Sequence, residues 1–319
     1  MPSYQFRLLR GFFRWAPARA WAYTPRPTVI DRLLGRTSAA EPFQPPEKRK
    51  KEDRMRFARL PAPKDATITS TTVGGVPALR LRHNSAKAGR AILYFHGGGY
   101  VYLSPLTHRG LGAALSKETG AEVVLLDYRM GPECPFPAAV EDAVAVWKAL
   151  LAEGLKPDQA VFAGDSAGGG LTLAAMLELK QSGGPLPAGG VCLSPWTDLA
   201  MTGGSIASKA KADPMLTAND LSHFASCYLG GADPRNPLAS PLYADLTGLP
   251  PLYIQVGSDE ILLDDAIRLH EKAEKAGVRS ELDVWDEMIH VWQVAVPLVP
   301  ESREAVAKIG AWLSRLWGS

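Results

Sequence analysis

Three groups of residues in this 319-residue chain have the types and the order that acyl transfer through a serine requires. The first is Gly164-Asp165-Ser166-Ala167-Gly168, a G-x-S-x-G match. An apolar run from Ala160 to Ala163 leads into it, and a helical run from Leu171 to Gln181 leads out. Strand, tight turn, then helix is the setting in which this motif holds a nucleophilic serine on a strained elbow. The glycines on either side leave room for the bend. A helix N-terminus behind the hydroxyl favours negative charge developing there. Alone, the motif is weakly specific, because Gly/Ser turns are also ordinary loops.

The second group is His96-Gly97-Gly98-Gly99, directly after the apolar run Ala91–Phe95. Acyl transfer needs N–H donors aimed at the carbonyl oxygen as it gains charge. Consecutive glycines let a loop turn its amides inward, which nominates the N–H groups of Gly97 and Gly98, with that of Ala167 from the elbow. His96 is better suited to holding the loop's shape than to acting as a base. A phosphate-binding reading is weak, since there is no G-x-G-x-x-G and no Lys-Ser/Thr after the glycines.

The third group supplies the base and its acid. The six histidines are His83, His96, His108, His223, His270 and His290. On an elbow of this kind the chain order is serine, acid, histidine, so the base follows Ser166. His223 falls in a long connection and His270 in a helical run. His290 follows the strand-like Glu281–Trp285 through a short loop, which makes it the expected base. After the strand-like Leu252–Val256 come Asp259 and Glu260, either of which could orient a histidine. Asp264 begins the next helix, where its simplest role is to complement the helix dipole. The residues alone do not separate Asp259 from Glu260.

These groups need a scaffold that carries them on neighbouring strand ends. Ala66–Thr72 and Val76–Leu81 alternate with period two around Gly74-Gly75 and predict a hairpin. After them, apolar strands alternate with helices. The expected strands are Ala91–Phe95, Glu122–Leu126, Ala160–Ala163, Gly189–Leu193, Leu252–Val256 and Glu281–Trp285. Helices are expected near Arg109–Thr119, Ala138–Glu153, Leu171–Gln181, Leu262–Ala276 and Arg303–Leu316. Strands apolar on both faces imply an α/β fold, with a mostly parallel central sheet flanked by helices. One connection, 194–251, is too long for a plain crossover and predicts a helical insertion at about 200–245 that roofs the site. Residues 1–60 hold 14 Lys/Arg against 5 Asp/Glu, so +9, while the rest of the chain balances to −7. With Phe6, Leu8, Leu9, Phe12, Phe13 and Trp15 among the arginines, they read as short amphipathic helices that cover a pocket, meet a lipid surface or pack on the core. The expected division is an N-terminal cap segment, 1–60, and a catalytic domain, 61–319, carrying the cap insertion.

Cys134, Cys192 and Cys227 form neither a disulfide framework nor a metal-ligand pattern, and Cys192 reads as a core thiol. Arginines interrupt every apolar run near the N-terminus, which excludes a signal peptide, and no run reaches membrane-spanning length. The expectation is a cytoplasmic protein with no metal, no cofactor and no nucleic-acid partner.

Taken together, His96-Gly-Gly-Gly99, Asp127-Tyr-Arg129 with Pro132-Glu133, Gly164-Asp-Ser-Ala-Gly-Gly169, Ser194-Pro-Trp-Thr-Asp198 and Met288-Ile-His290 resemble the hormone-sensitive-lipase-like bacterial carboxylesterases. The resemblance runs from about Pro77 to the C-terminus. It implies an α/β-hydrolase fold with a helical cap, and a serine carboxylesterase that cleaves short-chain acyl esters through a Ser-His-acid triad and an acyl-enzyme. Lactone hydrolysis with the same triad, or lipase action at a lipid surface, are the alternatives; a catalytically dead binding protein is disfavoured because Ser166 and His290 are both present. The family's acid falls on Glu260 and its second carboxylate on Asp264, although this chain departs from the pattern by setting Asp259 beside a Glu. Asp127, Arg129 and Glu133 resemble the family's buried charge network, Asp165 a hydrogen-bond partner behind the site, and Asp198 a loop brace. Tyr100 and Trp292 are expected either as pocket walls or as ordinary packing residues. A small ester is the expected partner, and a homodimer is compatible with the resemblance.

Overall fold

A computed structural model describes residues 2–15, 63–86, 89–296 and 298–318. Most of the expected N-terminal cap segment, residues 16–60, therefore lies outside the described residues. Among those described, eight strands form one sheet. They are β1 (Ala66–Val73), β2 (Val76–His83), β3 (Ala91–Phe95), β4 (Glu122–Leu126), β5 (Ala160–Asp165), β6 (Gly189–Leu193), β7 (Leu252–Gly257) and β8 (Ser280–Trp285), in the order β1-β2-β4-β3-β5-β6-β7-β8. The hairpin β1–β2 joins β4 antiparallel, and every pairing from β4 across to β8 is parallel.

The period-two stretch makes the hairpin because Gly74 and Gly75 both take positive φ, +57° and +83°. Gly74 also lies against a helix: a Cβ there would sit 2.5 Å from the Ala145 carbonyl oxygen. The central strands β3, β5, β6 and β7 are buried at every residue, as unalternating apolar runs require when both sheet faces are covered.

Among the described residues, seven longer helices accompany the sheet: α1 (Tyr4–Trp15), α2 (Arg109–Thr119), α3 (Ala138–Ala152), α4 (Ala167–Gln181), α5 (Ala218–Leu229), α6 (Leu263–Lys275) and α7 (Pro300–Leu316). One face packs Leu93, Phe95, Phe162 and Ile254 against Trp147, Leu171 and Leu269. The other packs Tyr94, Val161 and Val191 against Leu111, Ile309 and Trp312. Two helices start earlier than the sequence pattern predicts. Helix α4 begins at Ala167, immediately after Ser166, because its first turn consists of small buried residues that carry no apolar periodicity. Helix α7 begins at Pro300, a residue preorganised for the first helical position.

Within 194–251, α5 opens with a capping box between Thr217 and Asp220 and ends at Gly230 in the left-handed conformation. Helix α1 packs by Phe6, which is fully buried with Met288, Ile289, Trp292, Val299 and Ala305, while Tyr4 and Leu8 stay exposed. Its N-terminal Ser3 donates its hydroxyl to Glu301 at 2.8 Å. Among the described residues no helix is long and apolar enough to cross a membrane.

Candidate active site

The turn after β5 has no space for side chains on its glycines. A Cβ on Gly164 would lie 2.2 Å from the Gly168 carbonyl oxygen, and one on Gly168 only 1.9 Å from that of Phe95. Between them Ser166 takes φ +53° and ψ −121°, a conformation that non-glycine residues rarely occupy. Neighbouring main chain holds it there: the Ser166 carbonyl accepts from Gly169 N at 3.0 Å, Gly170 N at 3.2 Å and Trp196 N at 2.9 Å. Its own N–H donates to Leu193 O at 2.8 Å. The hydroxyl consequently stands beyond the strand end, at the start of α4.

Ser166 and His290 line one cavity of ≈ 890 Å³ among the described residues. His290 sits in the loop after β8, and its Nδ1 lies 2.8 Å from Glu260 Oε2. The other Glu260 oxygen, Oε1, accepts from Ser194 Oγ at 2.7 Å and Gly257 N at 2.6 Å. Glu260 is fully buried, so three donors hold its charge where water cannot. Burial pushes the His290 imidazolium down, but the hydrogen bond and charge of Glu260, followed by Asp213 and Asp165, raise it above the usual histidine value. No hydrogen bond links Ser166 to His290 among the described residues, and such contacts are often loose before substrate arrives. Ser166 and His290 thus line the same cavity, with Glu260 bonded to His290.

Asp259, the other acid candidate, points away. It pairs with Arg10 of α1, whose guanidinium also reaches the Glu287 carbonyl at 3.4 Å. Asp264 accepts from Ser205 N at 2.9 Å and so ties the 194–251 connection to the start of α6.

The glycine loop closes over the elbow. A Cβ on Gly97 would collide with Asp165 Oδ2 at 2.2 Å, and Gly98 and Gly99 take φ +112° and +62°. The N–H groups of Gly97, Gly98 and Ala167 donate to no protein acceptor among the described residues. His96 shapes this loop: it stacks on Tyr128 with centroids 4.5 Å apart, and its Nδ1 lies 2.7 Å from Gly97 O. Burial, and then the neighbouring His108, push His96 down to about 4, so it is neutral and unsuited to act as a base.

A family model described as the alpha/beta hydrolase fold matches residues 92–294. The chain belongs to the α/β-hydrolase fold family. A solved esterase of the bacterial hormone-sensitive lipase (HSL) family superimposes with TM-score 0.87 at 43% identity, covering 100% of both chains. EstE5, solved after soaking with p-nitrophenyl butyrate, gives TM-score 0.86 at 40% identity over 99% of this chain and 100% of that one. An acetyl-hydrolase of Streptomyces hygroscopicus is 51% identical over 230 residues, 72% of this chain and 77% of that protein. This α/β-hydrolase is therefore a hormone-sensitive-lipase-like bacterial esterase, a carboxylic ester hydrolase.

The structure also separates the alternatives left open for other residues of this esterase, and corrects one of them. Tyr100 lies in the core, stacked on Tyr228 with centroids 3.8 Å apart, and is absent from the cavity wall; Trp292 is on that wall. Arg129 is half exposed rather than buried, and pairs at 2.8 Å with both Asp142 and Glu141 of α3. Asp198 does brace its loop, accepting from Thr202 N at 2.9 Å and Arg268 at 3.0 Å. Asp165 is held by Tyr94 Oη at 2.8 Å and by His108 Nε2 at 3.1 Å. Burial raises its carboxyl, but His108 and Tyr94 bring it below the usual carboxylate range. The sequence reading missed His108 and Asp213, because neither sits in a recognisable motif. Cys192 is a buried core thiol, pushed up to about 12 by burial.

Proposed function

We propose that this esterase hydrolyses short-chain acyl esters with Ser166 as nucleophile, His290 as general base and acid, and Glu260 as the carboxylate that orients His290. The observation that carries this reading is Ser166, strained at φ +53°, on the wall of the same cavity as a buried His290–Glu260 pair. His290 Nε2 takes the hydroxyl proton as Ser166 Oγ attacks the ester carbonyl. Glu260, accepting from Nδ1–H, fixes the tautomer that leaves Nε2 able to do so. The oxyanion is met by the N–H groups of Gly97, Gly98 and Ala167. His290 then protonates the leaving alcohol, and water attacks the acyl-enzyme by the same route to release the acid.

The cap is formed by helix α1 of the N-terminal segment and the insertion at about 200–245. Supporting this, Leu9 of α1 lines the cavity with Met215, Leu216, Leu221 and Phe224 of the insertion. A short acyl group is favoured because Phe224 lies hard against the glycine loop, where a Cβ on Gly99 would be 2.7 Å from its ring. The acetyl-hydrolase relative points the same way.

A fluorophosphonate probe should label the wild-type protein and leave Ser166→Ala unlabelled. Across p-nitrophenyl esters, kcat/KM should fall from acetate and butyrate to decanoate. Unlabelled wild type would remove the serine mechanism, and a maximum at decanoate or on a lactone series would replace the substrate class.

A further inference from the structure

Asp213 belongs to no motif and has no place in the mechanism above, yet it is a buried carboxylate close to its centre. It lies in the 194–251 connection. Its Oδ1 accepts from Met215 N at 2.8 Å and Leu216 N at 3.0 Å, and its Oδ2 accepts from Ile261 N at 3.0 Å. Met215 and Leu216 line the substrate cavity. Ile261 directly follows Glu260, the carboxylate that holds His290 at 2.8 Å. One side chain thus spans the gap between a wall of the cavity and the loop that carries the acid. A parallel tie nearby, Ser205 Oγ to Ile261 O at 2.7 Å, fastens the same two segments without bringing any charge.

We propose that Asp213 is a positioning residue of the esterase site, a single buried carboxylate that fastens the Met215–Leu216 wall to the Glu260 loop and sets a second negative charge beside the Glu260–His290 pair. The proposal rests on the triad reading above. Its chemistry follows from the contacts. Burial raises the Asp213 carboxyl above its ordinary range, while the charge of His290 and the three donated N–H groups of Ile261, Leu216 and Met215 oppose that shift and favour the ionised form. His290 must gain a proton as Ser166 attacks, and a nearby fixed negative charge in a buried site favours that imidazolium. The acidic groups that act on His290 are Glu260 from the end of β7, Asp165 from the elbow and Asp213 from the insertion. His108 and Asp220 line the same cavity; the first is paired with Asp165 and the second caps α5. Of the three acids, Asp213 alone comes from the insertion. It therefore joins substrate-wall position to base strength, a coupling that a purely packing residue would lack.

The test compares Asp213→Asn and Asp213→Glu with wild type in kcat/KM against pH, using p-nitrophenyl butyrate and enzyme titrated by the fluorophosphonate probe. Asn keeps an acceptor for Met215 and Leu216 but removes the charge. Its acidic limb should move to lower pH by about one pH unit, and kcat at the plateau should fall about three- to tenfold as the base weakens. Glu should restore the limb towards its wild-type position while changing KM through the displaced wall. A limb that stays in place with Asn overturns the proposal, because loss of packing alone would lower activity without moving it. Should Asn fail to fold, Asp213→Ser supplies an acceptor oxygen without charge and is read in the same way. If both neutral variants fail to fold, Asp213 is a folding determinant and the proposal is overturned. Wild type that resists the probe would instead sink the triad reading itself, so the two failures are distinguishable.

Discussion

Changing Glu260 to Gln replaces one carboxylate oxygen by NH2 and leaves the shape intact. Three donors converge on the two oxygens: His290 Nδ1 on Oε2, with Ser194 Oγ and Gly257 N on Oε1. A glutamine has one acceptor oxygen to offer. If it stays with Ser194 and Gly257, the NH2 faces Nδ1 and forces the proton onto Nε2, the atom that must accept from Ser166. If it turns to His290, the NH2 opposes two N–H/O–H donors in a fully buried site. Each lost charge-assisted hydrogen bond is worth about 1.5–3 kcal/mol. A wrong histidine tautomer in an enzyme of this type costs about 10⁴-fold in kcat, ~5.5 kcal/mol of barrier. We expect a fall of about 10³–10⁴-fold in kcat with KM little changed. Asp259→Asn breaks only the partly exposed pair with Arg10, worth about 0–1 kcal/mol, and should stay within a few-fold of wild type. The assay is steady-state hydrolysis of p-nitrophenyl butyrate, with folding checked by circular dichroism. Near-normal turnover in Glu260→Gln, or an equal loss in Asp259→Asn, would refute the assignment.

Three further outcomes follow from the same geometry. Ser166→Gly should abolish turnover yet raise stability by about 1 kcal/mol, because a left-handed main chain that strains serine suits glycine; Ser166→Ala should show no such gain in thermal unfolding. Since His290 is held above its ordinary 6.5 and acts as a base only when neutral, kcat/KM should be lost as pH falls through a value above 6.5, and an acidic limb below that would contradict the pairing. Burial raises Asp265 from 3.8 to about 7, so its contribution to stability is complete below 3.8 and is lost as pH rises to about 7; Asp265→Asn should flatten that part of a denaturant-midpoint profile against pH.

Much of this molecule is legible in its sequence because the informative steps are local. Strands apolar on both faces announce a covered parallel sheet, and Gly74-Gly75 announces a hairpin. Ser166 and the glycine loop follow from close main-chain approach that only glycine permits. The acid proposed for the triad is less legible: Asp259 and Glu260 are neighbours with the same chemistry. What separates them is the burial of one and the presence of Arg10, some 250 residues earlier, beside the other. Contacts of that range leave no local pattern. His108, paired with Asp165, and Asp213, bonded to Ile261, are hidden for the same reason. Tyr100 was ambiguous because an aromatic beside a glycine loop suits a pocket wall as well as a stack on Tyr228.

The Ser166 carbonyl, which collects the N–H groups of Gly169, Gly170 and Trp196, makes this residue a junction of α4, β5 and the loop after β6. The junction is built entirely from main chain, so the hydroxyl contributes nothing to it. Chemistry and architecture at this position are therefore inherited separately. Ser166→Ala, which removes the proposed nucleophile but keeps a side chain on the strained main chain, should therefore fold and melt like its parent. Screens that score abundance or thermal shift will pass such inactive forms unnoticed, and only turnover or covalent labelling will tell them apart.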